Sequence, residues 1–318
     1  MKKDLTHLTT TLARAISFGV LILVMFAGSV CAESNRIVVL SGQDLKPYQD
    51  VLTGFQLSLV KQGITVHIEI HSLQGNPTKA QDVLEDVKRN GAKLVMTLGN
   101  QATQAAVREI THIPILATMI ITPDDIRSSP NTTAVLLDFP VETQLQWMKR
   151  IVPNAGTVGI LFNPKENQIK VDAASKAAKG VGLTLVPKSI ETPRGLPDAL
   201  DDIAHTVDVL WGIPDSLVMT PQTAEPILLN TLKNKIPFVG LSASWVKAGA
   251  LYALDRDYVD IGLQSGELAG KLLNGTSASS IPHGYPRKVA YVLNLKTANL
   301  INLDLPQDLI RGALQVFR

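Results

Sequence analysis

Strand-like and helix-like hydrophobic periods alternate along this chain, and the alternation runs twice. Arg36 to Leu40 (RIVVL) is a short β-branched run ending at the turn Ser41-Gly42. From Pro47 to Gln62 the apolar residues Val51, Leu52, Phe55, Leu59 and Val60 form a helical stripe, which Gly63 closes as a C-cap. Ile64 to Ile70 alternates as a strand, and Pro77 to Asn90 is helical up to Gly91. Strands then follow at Lys93–Leu98, Ile113–Met119 and Thr133–Leu137, with a helix at Asn100–Ile110. After Pro153 the pattern restarts. Strands are expected at Thr157–Phe162, Leu183–Pro187, Val207–Trp211, Pro237–Leu241, Ala250–Leu254 and Val289–Asn294. Helices are expected at Glu166–Lys179, Leu196–His205, Gln222–Asn234 and Tyr258–Leu273. Consecutive parallel strands need a crossover, usually a helix, so repeated strand–helix units imply a parallel sheet covered on both faces. At roughly 100–200 residues per domain, 318 residues accommodate two such units. The fold class is therefore α/β, with two doubly wound, Rossmann-like lobes. The seam is expected near Asp138 to Val141 and the helix Gln144–Pro153.

Composition narrows the function. Thirty basic residues against 28 acidic ones give a formal charge of +2, and aromatics are 5%. That gives no basic surface or stacking platform for nucleic acid, so no nucleic-acid partner is expected. Cys31 is the only cysteine, which excludes an intrachain disulfide and a multi-cysteine zinc site. The amino terminus reads as an export signal. Lys2, Lys3 and Arg14 are the positive leader, Ile16 to Ala27 is uncharged and apolar, and Val30-x-Ala32 suits cleavage between Ala32 and Glu33. Two alternatives stay open: an uncleaved anchor over the uncharged stretch Ala15 to Ala32, and a lipidated Cys31. Lipoprotein signals want a small residue before the cysteine, and Val30 is branched. On cleavage Lys2, Lys3 and Arg14 leave with Asp4, so the mature chain has neither net charge nor cysteine. An exported, cysteine-free chain fits the oxidising bacterial periplasm.

Catalytic signatures are missing. The turn after the first strand is Ser41-Gly42-Gln43-Asp44, without the glycine spacing of a dinucleotide site. Gly266 and Gly270-Lys271 resemble a phosphate loop, but one residue short, without the hydroxyl residue, and within a helix. Gly240-Leu241-Ser242-Ala243-Ser244 lacks the second glycine of a nucleophile elbow. His67 and His71 lie on a strand, where four steps separate them by roughly 13 Å, too far to share a metal. Asp255, Asp257 and Asp260 suit the electropositive start of a helix better than a calcium loop. No catalytic residue, metal or cofactor is expected.

What remains is a set of polar loops after the strands, where open α/β sheets bind ligands. In the first unit these are Ser41 to Tyr48, Gly99 to Thr103 and Met119 to Pro123. In the second they are Asn163 to Asn167, Gly212 to Ser216 and Ser242 to Trp245. The expected ligand contacts are Gln43, Tyr48, Gln101 and Thr103 from one side and Asn163, Asp215, Ser242 and Trp245 from the other. Gln101 and Thr103 sit at a helix start, whose free N–H groups favour a carboxylate. Tyr48 and Trp245 offer flat apolar area for a planar ligand between them. Asp215 would pair with an ammonium group, or serve as a turn or cap residue. Asn163 has helix capping as its alternative.

Several segments in order carry a family resemblance. They are Pro47-Tyr48-x5-Gly54-Phe55, Leu98-Gly99-x-Gln101-Ala102, Ile113-Pro114-Ile115 and Gly159-Ile160-Leu161-Phe162-Asn163-Pro164. Lys235-Ile236-Pro237-Phe238, Val246-Lys247-Ala248-Gly249-Ala250-Leu251, Ile261-Gly262 and Leu272-Leu273-Asn274-Gly275 complete the set. With the export signal, this resembles the ABC-transporter substrate-binding proteins, relatives of tryptophan-type binding proteins, with the periplasmic binding protein type 1 fold. The resemblance implies three crossings between lobes. The amino-terminal lobe would hold residues 33–138 plus about 258–284, and the carboxy-terminal lobe 139–257 plus about 285–318. It also implies a monomer that binds a small molecule in the interlobe cleft, closes on it and delivers it to an inner-membrane ABC permease. Family members commonly carry a Thr-Pro-type turn where this chain has Asn100-Gln101-Ala102-Thr103, so the resemblance leaves the ligand open. An exported sensor or interaction module of the same fold is the alternative. A periplasmic enzyme would need a nucleophile–base pair that the sequence does not offer.

Overall fold

The computed structural model describes residues 36–318. The leader, Cys31 and the expected cleavage between Ala32 and Glu33 lie outside the described residues. Strands β1 (Arg36–Ser41), β2 (His67–Ser72), β3 (Leu94–Leu98), β4 (Ile115–Ile120) and β5 (Thr132–Leu136) form one sheet in the order β2-β1-β3-β4-β5. Every pairing in it is parallel. The inner strands β3 and β4 are apolar but for Thr97 and Thr118 because helices cover both faces, and every residue in them is buried. Edge strand β2 keeps alternating polarity and stays partly exposed. Helix α1 (Lys46–Lys61) covers one face with Val51, Phe55 and Leu59. Helices α2 (Pro77–Asn90) and α3 (Asn100–Glu109) cover the other with Leu84, Val87, Ala102 and Ala106.

The second sheet contains β6 (Thr157–Phe162), β7 (Thr184–Ser189), β8 (Val209–Trp211), β9 (Phe238–Val239), β10 (Tyr252–Arg256), β11 (Val289–Asn294) and β12 (Gln315–Phe317). Their order is β12-β11-β10-β9-β8-β6-β7. Helices α4 (Val141–Ile151), α5 (Pro164–Gly180), α6 (Leu196–Ile203), α7 (Pro221–Lys233) and α8 (Ala243–Ala248) belong to this unit. The expected α/β architecture is present, with one departure from a wholly parallel sheet. β11 pairs antiparallel to β10, from Tyr252↔Leu293 to Arg256↔Val289. The chain re-enters this sheet from the other unit at that point, so no covering helix of its own forces a parallel approach.

The return to the first unit is made by α9 (Tyr258–Leu273), which packs along α1. Gly262, Gly266 and Gly270 repeat every four residues and so share one helix face. A Cβ on Gly262 would collide with the Val51 carbonyl, and one on Gly54 with the Val259 carbonyl. The glycines that echo a phosphate loop thus let two helix backbones touch. The segment after α9 stays with the first sheet. Gly284 N–H donates to Ala134 O at 2.8 Å, and Leu136 N–H donates to Gly284 O at 2.9 Å. The chain then crosses to β11.

The chain therefore passes between the sheets at 137–140, at 256–257 and at 285–288. Asp257 caps α9 by accepting from Asp260 N–H at 3.0 Å. Arg287 and Lys288 in the third crossing pair with Asp260 at 3.3 Å and Asp257 at 3.2 Å. The acidic cluster at the helix start thus ties two crossings together. Short elements near the end, α10 (Leu295–Leu300), α11 (Gln307–Gly312) and β12, complete the second unit. No helix among the described residues is long and apolar enough to cross a membrane.

Candidate ligand site between the lobes

Two adjoining cavities of about 250 and 260 Å³ lie beside the first crossing. They share Ile121, Asp138, Gln144, Trp211 and Pro214, so they form one concavity. The first unit supplies its rim through Ile121 to Asp124. These residues are placed by an irregularity at the end of β4, where the register slips between Thr118 and Ile120. Met119 takes φ +58 there, a left-handed conformation that redirects the chain out of the strand. The second unit supplies an apolar wall of Ile160, Val171, Ala174 and Trp211. A concave, largely apolar site with few polar groups is what small organic ligands need.

Two charged groups of its lining, Asp138 and Arg256, sit at the first two crossings. Asp138 Oδ1 accepts from Phe139 N–H at 2.9 Å and from Gln144 Nε2 at 3.4 Å. Burial pushes its pKa above the usual aspartate value, and the nearby Arg256 charge opposes the shift. Arg256 Nε donates to Leu137 O at 2.6 Å, and its guanidinium lies 5.1 Å from the centre of the Phe139 ring. Arg256 and Asp138 form no ion pair, with each other or elsewhere among the described residues. Deeper in the second unit, Asn167 lines the cavity and is 1% exposed. Its Nδ2 donates to Pro214 O at 3.1 Å and to Asp215 Oδ2 at 2.8 Å, and its Oδ1 has no partner.

None of the eight contacts expected from sequence lines either cavity. Gln43 and Gln101 are exposed at the strand ends of the first unit, and Gln101 donates to Gly75 O at 3.3 Å. Thr103 is fully buried and bonds Thr97 through their hydroxyls at 2.8 Å, so it faces the core and not a ligand. Tyr48 packs in the first unit's core with its ring over Gly99, and burial raises its pKa. Trp245 lies in α8, edge-on to Phe238 at 5.8 Å, in the second unit's core. The aromatic pair therefore does not form a sandwich. Each ring finds more apolar contact inside its own unit. Asn163 caps α5, accepting from Lys165 N–H at 3.1 Å. Ser242 is exposed just before α8 and makes no side-chain cap bond.

Asp215 is 6% exposed, and its carboxylate oxygens are already engaged. Oδ2 accepts from Asn163 N–H at 2.7 Å as well as from Asn167, and Oδ1 accepts from Leu217 N–H at 3.0 Å and Val218 N–H at 2.9 Å. Its turn reading, and not an ammonium contact, matches this geometry. Elsewhere, His67 and His71 flank Glu69 at 3.4 and 3.8 Å on β2, with Glu69 held by Arg36. Among the described residues no group of three or more His, Cys, Asp or Glu is placed to hold a metal.

Of the six expected loops, 119–123, 163–167 and 212–216 contribute residues to the concavity, and 41–48, 99–103 and 242–245 do not. Ile121 and Pro214 lie in loops that follow strands, Asn167 lies in the first turns of the helix after β6, and Asp138 lies in the expected seam. The missed signal for Asn167 is an amide one turn into an amphipathic helix, on its buried side.

Comparison with known proteins follows the same lines. The family described as ABC transporter substrate binding protein matches residues 37–317. A tyrosine-binding protein of Clostridioides difficile is 24% identical over 253 residues, covering 77% of this chain and 73% of its own. The ligand-free, open structure of a substrate binding protein with adhesive properties from Clostridium difficile aligns with TM-score 0.74 at 23% identity, over 89% of this chain and 99% of that one. A Streptococcus pneumonia domain in complex with L-Trp aligns with TM-score 0.58 at 20% identity, over 90% and 100%. These structures share the fold.

Proposed function

Since this chain belongs to the ABC transporter substrate binding protein family, we propose that it is the periplasmic solute-binding component of an ABC importer. It binds a small organic ligand between its lobes, closes on it and delivers it to an inner-membrane permease. The observation that carries this reading is the concavity beside the crossings, walled by Ile121 to Asp124 from one unit and by Ile160, Val171 and Trp211 from the other. A ligand that touches both walls binds the closed arrangement better than the open one, which is what drives closure. The lobes are taken as 33–138 with 258–284, and 139–257 with 285–318. Each joins the sheet on which its elements pack.

The ligand class is amino-acid-like or aromatic. The apolar wall accepts a ring, while Asp138 and Arg256 offer opposite charges to an ammonium and a carboxylate. The tyrosine-binding and L-Trp-bound relatives support the same class. Of the strand-end residues, Gln43 and Gln101 are exposed and available to meet the ligand on closure. Thr103, Asp215 and Trp245 serve their own lobes.

The test is a thermal-shift screen of amino acids on the mature protein, followed by small-angle scattering. A ligand at 100 times its Kd adds about 2.7 kcal/mol of stability, which such a screen detects. The expected result is a hit among aromatic amino acids and a smaller radius at saturation. An unchanged radius at saturation would rule out closure, and no hit would rule out the ligand class.

A further inference from the structure

The amide of Asn167 has its orientation dictated by its neighbours. An ionised aspartate and a backbone carbonyl both only accept hydrogen bonds. Asp215 Oδ2 at 2.8 Å and Pro214 O at 3.1 Å therefore must face the NH₂ end of Asn167. The flipped amide would set its carbonyl against two acceptors. Asp215 is itself fixed by three backbone N–H groups, so it cannot swing away to permit the flip. The carbonyl oxygen is left as the free end of a residue that is 1% exposed and lines the cavity. Ile160, Val171 and Ala174, which line the same cavity, carry no donor, and the side-chain donors of Gln144, Lys170, Trp211 and Tyr285 in its lining do not reach this oxygen.

A buried acceptor without a donor is costly, and the cost is removed when a bound molecule donates to it. We propose that Asn167 Oδ1 is the specificity-determining acceptor of this site, and that the ligand reaches it with an N–H or O–H at the end of an otherwise apolar body. Asp215 is then a positioning residue, acting through the Asn167 amide and not on the ligand. The inference rests on the binding reading above and adds to it a requirement for one donor. Sites built around a polar group reject analogues that lack the matching group far more strongly than apolar pockets reject a missing methylene.

Two probe pairs differ by a single donor: L-tyrosine and L-phenylalanine, and L-tryptophan and 1-methyl-L-tryptophan. Calorimetry on the mature wild-type protein should show the donor-bearing member binding at least tenfold tighter in one pair. In Asn167→Leu that ratio should collapse to within about threefold. In Asp215→Asn the ratio should also fall, whereas a merely structural role would weaken both members alike. A wild-type ratio near one, as expected if water satisfies the amide, overturns the proposal while binding itself leaves the function standing. A ratio that survives in Asn167→Leu shows that another group reads the donor and likewise overturns it. If none of the four probes binds, the aromatic amino-acid reading fails and this inference fails with it. Should Asn167→Leu not fold, Asp215→Asn decides: a ratio unchanged from the wild type overturns the proposal, and a fall in the ratio supports it.

Discussion

The loops that end the strands of the first unit present Gln43 and Gln101 to solvent, whereas the loop after β8 in the second unit turns Asp215 inward. Both sets occupy the same place in an open α/β sheet. The difference lies in what the local backbone leaves unmet. Around Asp215 the N–H groups of Asn163, Leu217 and Val218 have no other acceptor, and a carboxylate satisfies all three along with the Asn167 amide. In the first unit the turn is closed by backbone bonds, Gly42 N–H to Leu98 O at 2.9 Å and Thr103 N–H to Gly99 O at 3.0 Å. Its glutamines are therefore spare. The first unit instead invests its close packing in the glycine seam between α1 and α9. A polar side chain at a strand end that satisfies several nearby backbone N–H groups, as Asp215 does, has little left to offer a ligand.

The comparison is broken most directly by Asp215→Ala. It leaves three backbone N–H groups without an acceptor and the Asn167 amide with Pro214 O alone, so we expect a loss of about 3–5 kcal/mol, read by urea denaturation with the change in midpoint at constant slope. A loss below 1 kcal/mol would show that Asp215 is spare in the way Gln101 is. Gly262→Ala tests the other unit. Alanine gains about 1 kcal/mol in helix propensity. Its methyl meets the Val51 carbonyl and the Gly54 backbone, which cannot yield without separating α1 from α9. A net loss of about 2–3 kcal/mol is expected in the same experiment.

Asp138→Asn sharpens the comparison at the crossing that joins the units. Burial raises the folded-state pKa of Asp138, so the folded protein holds this proton more readily than the unfolded chain. Stability from this group is present at low pH and is lost as pH rises through the raised value. At neutral pH the charged carboxylate is a cost, and the amide removes it. The melting temperature should rise by about 1–2 °C at pH 7. The gain should fade toward about pH 3, below the ordinary aspartate value. A gain that grows on acidification would reverse the assignment. The smallest effect belongs to Gln101→Ala, which should change stability by less than about 0.5 kcal/mol. Any larger change would mean that its bond to Gly75 O holds the loop.

Much of this fold was readable from the order of residues. Thr157–Phe162, Tyr258–Leu273 and Val289–Asn294 have the bounds that their periodicity predicts. The helices at Ala243–Ala248, Leu295–Leu300 and Gln307–Gly312 escaped notice because six residues are too few to show a period. The antiparallel β11 escaped for a different reason, since direction is not encoded in a strand's own pattern. At the site, local composition marks the strand ends, and three of the six loops it marks contribute residues to the concavity. The individual side chains are not marked in the same way, because Tyr48, Thr103 and Trp245 look the same in a sequence whether they face a cleft or a core.

The sequence by itself determined what depends on near neighbours: two strand–helix series, and the acidic start of the helix at Tyr258. Each follows from periods of two or 3.6 residues and from backbone groups a few positions away. Only the tertiary structure decided that glycines 262, 266 and 270 are a helix seam. It alone brought Asp215 to Asn167 from 48 residues away and set Arg256 against Leu137 from 119 residues away. Those contacts depend on how two sheets and three crossings pack, and no local pattern records which distant donor will meet which acceptor.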